Sequence, residues 1–289
     1  MKKIISEDII KNIDEIVWYI PFRKLRDSVR EVLYSIKDIQ YHVKNIDSDN
    51  TLKDIRKVIT KKYSNESYLY SCKLGGIDFK FYDFIFSNCV RYFEGEIDDY
   101  NFDFIDFKDG DVVIDIGGNI GMASIYLAKK YPFLKIYAFE PVKQNYENFL
   151  KNIELNNINK DIIKVFNLAI TKDRRDVILT SPFNNSGGSN IYDYHICSKI
   201  LNNSSIGKSI TFDDIFNNNN ISKCKLLKID CEGAEYEILY SANVENLKNC
   251  EYMRGEFHGI EDKREKLYNY CNKYIKHIEI VYSNDDYSL

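Results

Sequence analysis

A glycine-rich segment between residues 115 and 121 is the stretch of this sequence that says most about chemistry. It reads Asp115-Ile116-Gly117-Gly118-Asn119-Ile120-Gly121. Its first two residues end the mostly apolar run 112–116, and a run of helical periodicity follows it from Met122. Glycines permit backbone angles that other residues avoid, and they let the backbone approach a bound molecule. In α/β proteins, such a turn after a strand lies at the sheet edge where ligands bind.

Two acids accompany this turn. Asp115 ends the apolar run and can accept hydrogen bonds from a cationic group, such as the amino end of a bound molecule. Glu140 ends the next apolar run and lies 19 positions beyond Gly121 (140 minus 121), where α/β folds commonly hold ribose hydroxyls with an acid. We therefore predict a cofactor site made of Asp115, Gly117, Gly118, Asn119, Gly121, Glu140 and Pro141.

Nicotinamide-dependent oxidoreductases share the strand, the turn and the acid, and they are the first alternative. Their phosphate-binding fingerprint, G-x-G-x-x-G, read from Gly117, would require glycines where Asn119 and Met122 stand. Its absence disfavours a pyrophosphate and favours a nucleoside joined to an amino acid, which describes S-adenosylmethionine. The alternative to a cofactor site is a tight strand-to-helix turn that binds no ligand.

The elements that must position this site alternate between strands and helices from Asp111 onward. Strands are predicted at 112–116, 135–139, 162–170, 225–229, 252–257 and 277–282, and helices at 122–131, from Pro141 onward and at 261–275. The inner face of the helix at Pro141 is predicted to consist of Val142, Tyr146, Phe149, Leu150 and Ile153. This alternation implies a doubly wound, mostly parallel sheet with helices on both faces. The polar segment Ser181–Gly207 is expected to be a substrate-covering or mobile loop.

The residues before this region predict an appendage. Helical periodicity between Ser6 and Ile59, interrupted at Pro21, predicts an α-helical unit over 1–66. Aromatic runs on either side of Gly75-Gly76 predict a β-hairpin that opens a second unit, 67–289. The net charge of −4 disfavours a nucleic-acid substrate. Seven cysteines without a Cys-x-x-Cys pair, and no apolar run of membrane-spanning length, favour a cytoplasmic protein.

With these residues in hand, the chain resembles the FkbM family of methyltransferases, which has the Rossmann-like class I fold. The resemblance covers about residues 90 to 283 and rests on four blocks: Val113 to Gly121, Ala138-Phe139-Glu140-Pro141, Leu227 to Glu235, and Glu256-Phe257-His258. It implies O-methylation, often on a sugar or a natural product, with S-adenosylmethionine converted to S-adenosylhomocysteine. Gly118 departs from the alanine common in the family, and only one strand, 277–282, stands where an antiparallel pair usually ends the class I sheet.

The catalytic prediction concerns the ends of the fourth and fifth predicted strands. Asp230 or His258 is expected to accept the proton of the acceptor hydroxyl, while Lys228 and Glu232 orient the substrate or neighbouring loops. The alternative for Lys228 is an ion pair with Glu232 or Glu235, and that for His258 is a packed, hydrogen-bonded histidine. No His or Cys spacing matches a closed zinc site, so no metal is predicted; a divalent ion at Asp230 and Glu256 has no support from the sequence.

The N-terminal segment 18–26 bears on the acceptor. Trp18-Tyr19-Ile20-Pro21-Phe22-Arg23-Lys24-Leu25-Arg26 resembles a segment at the start of various bacterial enzymes of surface-polysaccharide biosynthesis, which favours a glycan intermediate as the acceptor. Its aromatic and basic residues suit a peripheral contact with the inner membrane face or a partner. The alternative is an amphipathic helix packed on its own domain or on a second copy. A non-catalytic, cofactor-binding scaffold that docks on polysaccharide-assembly enzymes is the remaining alternative.

Overall fold

Strands alternate with helices along the part of the chain that the structure describes. The structure is a computed structural model, and it describes residues 67–84, 89–90, 93, 97, 99–180, 190–193 and 204–282. The strands are β1 (Ser67–Leu74), β2 (Ile77–Phe84), β3 (Val112–Ile116), β4 (Lys135–Phe139), β5 (Ile163–Phe166), β6 (Ala169–Ile170), β7 (Val177–Thr180), β8 (Asn190–Asp193), β9 (Ser204–Gly207), β10 (Ser209–Ile210), β11 (Cys224–Ile229), β12 (Cys250–Phe257) and β13 (His277–Tyr282). The helices are α1 (Met122–Lys130), α2 (Lys143–Leu155), α3 (Phe212–Asn219), α4 (Glu235–Ser241), α5 (Val244–Lys248) and α6 (Glu261–Cys271).

The central sheet contains six strands in the order β13–β12–β11–β3–β4–β5, and every neighbouring pair is parallel. Val113 of β3 lies in one apolar cluster with Leu127 of α1 and Phe149 of α2. Ile114 lies in another with Ile238 of α4. Successive strand residues point to opposite faces, so helices cover both faces of the sheet. The predicted doubly wound, class I α/β fold is confirmed.

The strand order reverses at the boundary between β3 and β11. From β3 the chain proceeds outward through β4 to β5, and after the crossover it proceeds the other way through β11 and β12 to β13. Ile116 and Ile229, the last residues of β3 and β11, are paired across this boundary. The first turns after these two strands therefore meet at the topological switch point, where open α/β sheets bind ligands.

The predicted hairpin and most predicted strand positions are confirmed. Strands β1 and β2 pair antiparallel around Gly75 and Gly76, whose φ angles of 52° and 81° suit a two-residue turn of the primed type. Strand β13 has its predicted bounds and runs parallel to β12. Residues 283–289 lie outside the described residues, so the shortened sheet edge stays a prediction.

Three predicted elements were wrong in detail. The predicted strand 162–170 is two strands, because β5 pairs with β4 in the main sheet whereas β6 pairs with β10. Helix α2 begins at Lys143 and not at Pro141. Leu150, predicted on its inner face, is 40% exposed, and that face also contains the buried Asn145, Asn148 and Asn152. Helix α6 ends at Cys271, four residues before its predicted end.

The polar segment Ser181–Gly207 is not simply a loop. Its described parts include β8 and β9, which flank β7 in a small antiparallel sheet. The predicted helical unit, 1–66, and the segment 18–26 lie outside the described residues, so their structure and the domain boundary at residue 66 stay predictions. Among the helices of the described ranges, none has both the length and the apolar character that a bilayer crossing requires.

Candidate active site

The glycine turn after β3 has the predicted position and an unusual backbone. Gly117, Asn119 and Gly121 have φ angles of 81°, 49° and 92°, all in the left-handed region that favours glycine and asparagine. A Cβ on Gly117 would lie 2.8 Å from the carbonyl carbon of Asp230 and overlap its oxygen. A Cβ on Gly121 would collide with the ring of Phe149 in α2.

The left-handed φ angles of Gly117 and Gly121 agree with the backbone freedom predicted for the glycines. Their predicted role in letting the backbone approach a bound molecule stays a prediction. At Gly117, Gly118 and Gly121 the position that a Cβ would take is occupied by the protein itself, namely the first loop after β11 and the ring of Phe149. The glycines therefore allow the turn to pack tightly between β11 and α2.

A buried pair of charges lies beneath the turn. The Asp115 carboxylate accepts a hydrogen bond from Ser124 Oγ at 2.6 Å and lies 3.2 Å from Lys228 Nζ. Lys228 Nζ also donates to the Gly117 carbonyl at 2.8 Å and lies 4.0 Å from Asp230 Oδ2. Burial alone would lower the pKa of Lys228, but the charges of Asp115 and Asp230 outweigh it and raise that pKa.

The structure thus gives two predicted residues different partners. Asp115, predicted to accept hydrogen bonds from a cationic group of a ligand, has Lys228 as its cation and is 1% exposed. Lys228, whose alternative partners were Glu232 and Glu235, forms its ion pair across the sheet with Asp115 instead. Lys228 was predicted to orient the substrate or neighbouring loops. Its ammonium group bonds the Gly117 carbonyl, so the loop that it orients is the glycine turn.

Glu140 lies at the end of β4, one strand over from the turn. Its carboxylate accepts hydrogen bonds from the backbone N–H groups of Asn119 and Val142, each at 2.8 Å, and from Asn145 Nδ2 at 3.4 Å. Burial raises the pKa of Glu140 to about 7, although these hydrogen bonds oppose the shift. An ionised carboxylate offers about four acceptor positions. The three donors named here occupy three of them, so the fourth position can accept a hydrogen bond from a ligand.

Pro141 completes the predicted cofactor residues. It is half-buried, and its carbonyl oxygen accepts a hydrogen bond from Asn167 Nδ2 at 2.8 Å, as does the carbonyl of Glu140. Asn167 stands between β5 and β6 and was not predicted. Its amide fixes the backbone that follows β4, and with it the direction of the Glu140 side chain.

The second predicted cluster is at the ends of β11 and β12. His258 Nδ1 lies 3.0 Å from Glu235 Oε1, while its Nε2 lies 3.4 Å from Glu232 Oε2 and 3.8 Å from Glu256 Oε2. Glu235 is fully buried and also accepts the backbone N–H groups of Cys231 and Gly233, each at 2.9 Å. Glu235 was not predicted as a site residue, yet it fixes both the loop after β11 and the ring of His258.

Electrostatics make His258 a cation. Burial would lower the pKa of His258, but the hydrogen bond that His258 donates to Glu235 and the charges of Glu235, Asp230 and Glu232 raise it to about 10. Burial raises the pKa of Glu232 to about 8; His258 opposes that shift, and the charges of Asp230 and Glu256 add to it. The imidazole of His258 is therefore protonated near neutral pH. The carboxyl group of Glu232, with a pKa of about 8, also holds a proton there.

Asp230 has a partner that the sequence did not reveal. Tyr100 Oη lies 3.2 Å from Asp230 Oδ2, although the two residues are 130 positions apart. The Asp230 side chain keeps 26% of its surface exposed, more than Asp115 or His258. Asp230 follows directly from a central strand, and Glu256 and Glu232, at 23% and 20%, are nearly as exposed.

The cluster also has the residue types of a cation site. One ligand atom each from Asp230, Glu235 and His258 lie within 4.8 Å of one another. The two oxygens of Glu235, however, already accept backbone N–H groups, and His258 Nδ1 faces one of them. A divalent ion here would have to compete with these contacts.

A glycine turn at the switch point of a parallel sheet, an acid one strand over and no pyrophosphate fingerprint define a class I methyltransferase site. Residues 115–285, more than half of the chain, match the family model described as the methyltransferase FkbM domain. The chain belongs to the FkbM methyltransferase family. The predicted family, the methyltransferase class and the predicted cofactor, S-adenosylmethionine, are confirmed at this level.

Named relatives agree with this membership. "Methyltransferase 1" of Beauveria bassiana (strain ARSEF 2860) is 28% identical over 153 residues, which cover 48% of this chain and 61% of that protein. "Methyltransferase sdnD" of Sordaria araneosa is 25% identical over 197 residues, covering 58% of this chain and 76% of that protein. The chain thus spans less than two thirds of the length of the first relative.

Two solved structures align with part of this chain. A SAM-dependent methyltransferase from Agrobacterium tumefaciens aligns with a TM-score of 0.34 and 11% identity, over 56% of this chain and 39% of that chain. TYW2 of M. jannaschii, solved in complex with AdoMet, aligns with a TM-score of 0.27 and 23% identity, over 35% of this chain and 43% of that chain.

Proposed function

We propose that the protein transfers a methyl group from S-adenosylmethionine to a hydroxyl group of a sugar or of a cell-surface glycan intermediate. The observation that supports a hydroxyl acceptor best is the carboxylate of Asp230, which is partly exposed at the end of β11, beside the cofactor turn. A hydroxyl must lose its proton when it is methylated, and a positioned carboxylate can accept that proton. When bound, S-adenosylmethionine supplies an activated methyl group and leaves as S-adenosylhomocysteine.

Within this proposal Asp230 is the proton acceptor. When an acceptor hydroxyl is methylated at this site, its proton would pass to Asp230 Oδ. His258 is the weaker candidate because an imidazole with a pKa of about 10 already holds its proton near neutral pH. Its positive charge instead pairs with the buried carboxylate of Glu235, which keeps the loop after β11 in place.

Positioning is the other contribution of the protein. Aligning two reactants and excluding water lowers a barrier by roughly 7 to 11 kcal/mol at best, and a general base adds on the order of 10² to 10⁴ in rate. Glu140 is proposed to accept from the ribose hydroxyls with its remaining acceptor position. The turn between Gly117 and Gly121 is proposed to lie against the adenosyl and methionine parts.

The glycan acceptor rests on the N-terminal segment 18–26 and its resemblance to enzymes of surface-polysaccharide biosynthesis, and that segment lies outside the described residues. The proposed cytoplasmic location at the inner membrane face has the same basis. Sedimentation of the full chain with liposomes, compared with a variant lacking residues 1–60, tests the membrane contact. Equal sedimentation of both would contradict it.

Incubation with labelled S-adenosylmethionine and nucleotide sugars or surface-glycan extracts tests the reaction. The expected product gains one methylene unit on an oxygen, read by mass spectrometry. Asp230→Asn should lower turnover by about 10² to 10⁴ while cofactor affinity stays close to wild type; His258→Ala is the comparison. Methylation of nitrogen, or wild-type turnover in both variants, would refute the proposal. Cofactor binding without turnover on a broad acceptor panel would favour the non-catalytic scaffold.

A further inference from the structure

Helix α2 holds the β-hairpin through a ladder of asparagine side chains. Asn152 Oδ1 accepts the N–H of Tyr82 at 2.6 Å, and its Nδ2 donates to the carbonyl of the same residue at 3.1 Å. Asn156, at the C-terminal end of α2, makes the same reciprocal pair with Lys80, at 3.1 and 2.6 Å. Each amide thus takes the place of a peptide group in a neighbouring strand.

The ladder stays in register because two repeats match. Four helical residues advance about 6 Å, and two strand residues advance about 6.6 to 6.8 Å, so every fourth residue of α2 meets every second residue of β2. The next position along the helix, Asn148, exchanges hydrogen bonds with Ser67 Oγ at 3.1 and 2.9 Å. Ser67 is the β1 residue paired with Phe84, the next β2 residue of the ladder.

Asn152 differs from Asn156 in one contact. Its Nδ2 also donates to the carbonyl oxygen of Ile120, at 2.9 Å, and Ile120 is the residue between Asn119 and Gly121 in the cofactor turn. Asn152 is fully buried, so water cannot replace it. The side chain of Asn156 bonds Lys80 and the carbonyl of Asn152, and neither contact reaches the turn.

Three polar side chains from outside the turn therefore bond the backbone of three of its residues. Lys228 of β11 holds the Gly117 carbonyl, Glu140 at the end of β4 holds the Asn119 N–H, and Asn152 of α2 holds the Ile120 carbonyl. Removing one partner of a buried hydrogen bond leaves the other with its full desolvation penalty, so the backbone rearranges. The turn is the part of the site that would move.

We propose that Asn152 is a positioning residue for cofactor binding, which couples the docking of the β1–β2 hairpin to the shape of the turn at Ile120. The inference rests on the proposed function, because it takes S-adenosylmethionine as the ligand of that turn. Coupling between two sites is reciprocal. Cofactor binding therefore stabilises the docked hairpin, and a docked hairpin favours cofactor binding.

Calorimetric titration with S-adenosylmethionine tests the coupling in the full chain. Asn152→Ala is expected to weaken the affinity at least tenfold, whereas the matched control Asn156→Ala weakens it less than twofold. Both variants lose one reciprocal pair with β2, so their unfolding midpoints in urea should fall by similar amounts. Equal affinities of the two variants at equal stability would assign Asn152 a structural role only and overturn the inference.

Hydrogen exchange of the wild-type protein provides a second measurement that needs no variant. With saturating S-adenosylhomocysteine, the amide of Tyr82 is expected to exchange at least threefold more slowly than without it. An unchanged rate at Tyr82, with cofactor product bound, would contradict the coupling. If the wild-type chain binds neither S-adenosylmethionine nor its product, the proposed function fails, a result distinct from binding without coupling.

Discussion

Replacement of Gly117 by alanine tests how the cofactor turn is built. The residue has a φ of 81°, and its added Cβ would lie 2.8 Å from the carbonyl carbon of Asp230. Gly110 offers a matched control, because its φ of 78° is nearly the same while a Cβ there meets no atom within 4 Å. The pair of variants therefore separates backbone strain from steric collision.

The expected losses follow from these two terms. A left-handed backbone costs an L-residue about 1 to 2 kcal/mol, so Gly110→Ala should lower the free energy of unfolding by that amount. Gly117→Ala adds the cost of overpacking, about 1 to 3 kcal/mol, for a total of about 2 to 5 kcal/mol. The neighbouring group is backbone of the loop after β11, which cannot swing away as a flexible side chain would.

Urea unfolding without cofactor, analysed by linear extrapolation, measures both losses. Titration with S-adenosylmethionine should then show weaker binding for Gly117→Ala alone, since only this variant pushes the turn away from Asp230. Losses of unfolding free energy that agree within about 0.5 kcal/mol would refute the collision. The turn would then be looser than its contacts with β11 and α2 indicate.

Three further predictions concern the buried charges. Lys228→Met should cost about 3 to 5 kcal/mol of unfolding free energy, measured by urea unfolding, because it leaves Asp115 buried without its cation; a loss below about 1 kcal/mol would contradict the pairing. The affinity for S-adenosylmethionine should fall as the pH drops below about 7, where Glu140 becomes protonated and loses acceptor capacity, and calorimetry on Glu140→Gln should show that this pH dependence has gone. In Glu235→Gln the pKa of His258, raised to about 10 in the wild type, should move toward its usual value of about 6.5, and an unchanged NMR titration of the ring would exclude Glu235 as the cause.

The sequence predicted the central sheet well because its strands are buried on both faces. The run 112–116 is apolar except for Asp115 and is bounded by Gly110 and the glycine turn, so both its type and its bounds were correct. The predicted strand 162–170 failed at Asn167, whose side chain bonds the backbone after β4 instead of extending the strand. That contact joins residues about 27 positions apart and has no signature in local periodicity.

Helix α2 shows where hydropathy misleads. Apolar spacing placed Leu150 on the inner face and assigned no asparagine to it, whereas Leu150 is exposed and Asn152 is fully buried. The inner face of this helix meets the edge of a strand, and the unpaired peptide groups of an edge need hydrogen-bond partners. An amide side chain satisfies a donor and an acceptor at once, which a leucine cannot do.

The active site shows the same division between local and distant information. Local sequence was enough to find the turn, Glu140 and the cluster around Asp230. It gave Lys228 the wrong alternative partners, because only acids close in sequence could be considered; the true partner is set by the register of β11 against β3. Tyr100 was missed for the same reason, since nothing near it in the chain indicates a contact with Asp230.

The switch point explains why the turn needs polar side chains to hold it. Helices α1 and α4, which follow β3 and β11, pack on opposite faces of the sheet. The crevice between the ends of these two strands is where a ligand can enter. Apolar packing cannot fix a backbone whose one side must stay open. Lys228, Glu140 and Asn152 do so from beneath, each bonded to a different peptide group of the turn. Because these bonds are buried and directional, the removal of each single partner should change the shape of the turn. Cofactor affinity in the three variants should therefore correlate with the shape of the turn more closely than with the free energy of unfolding.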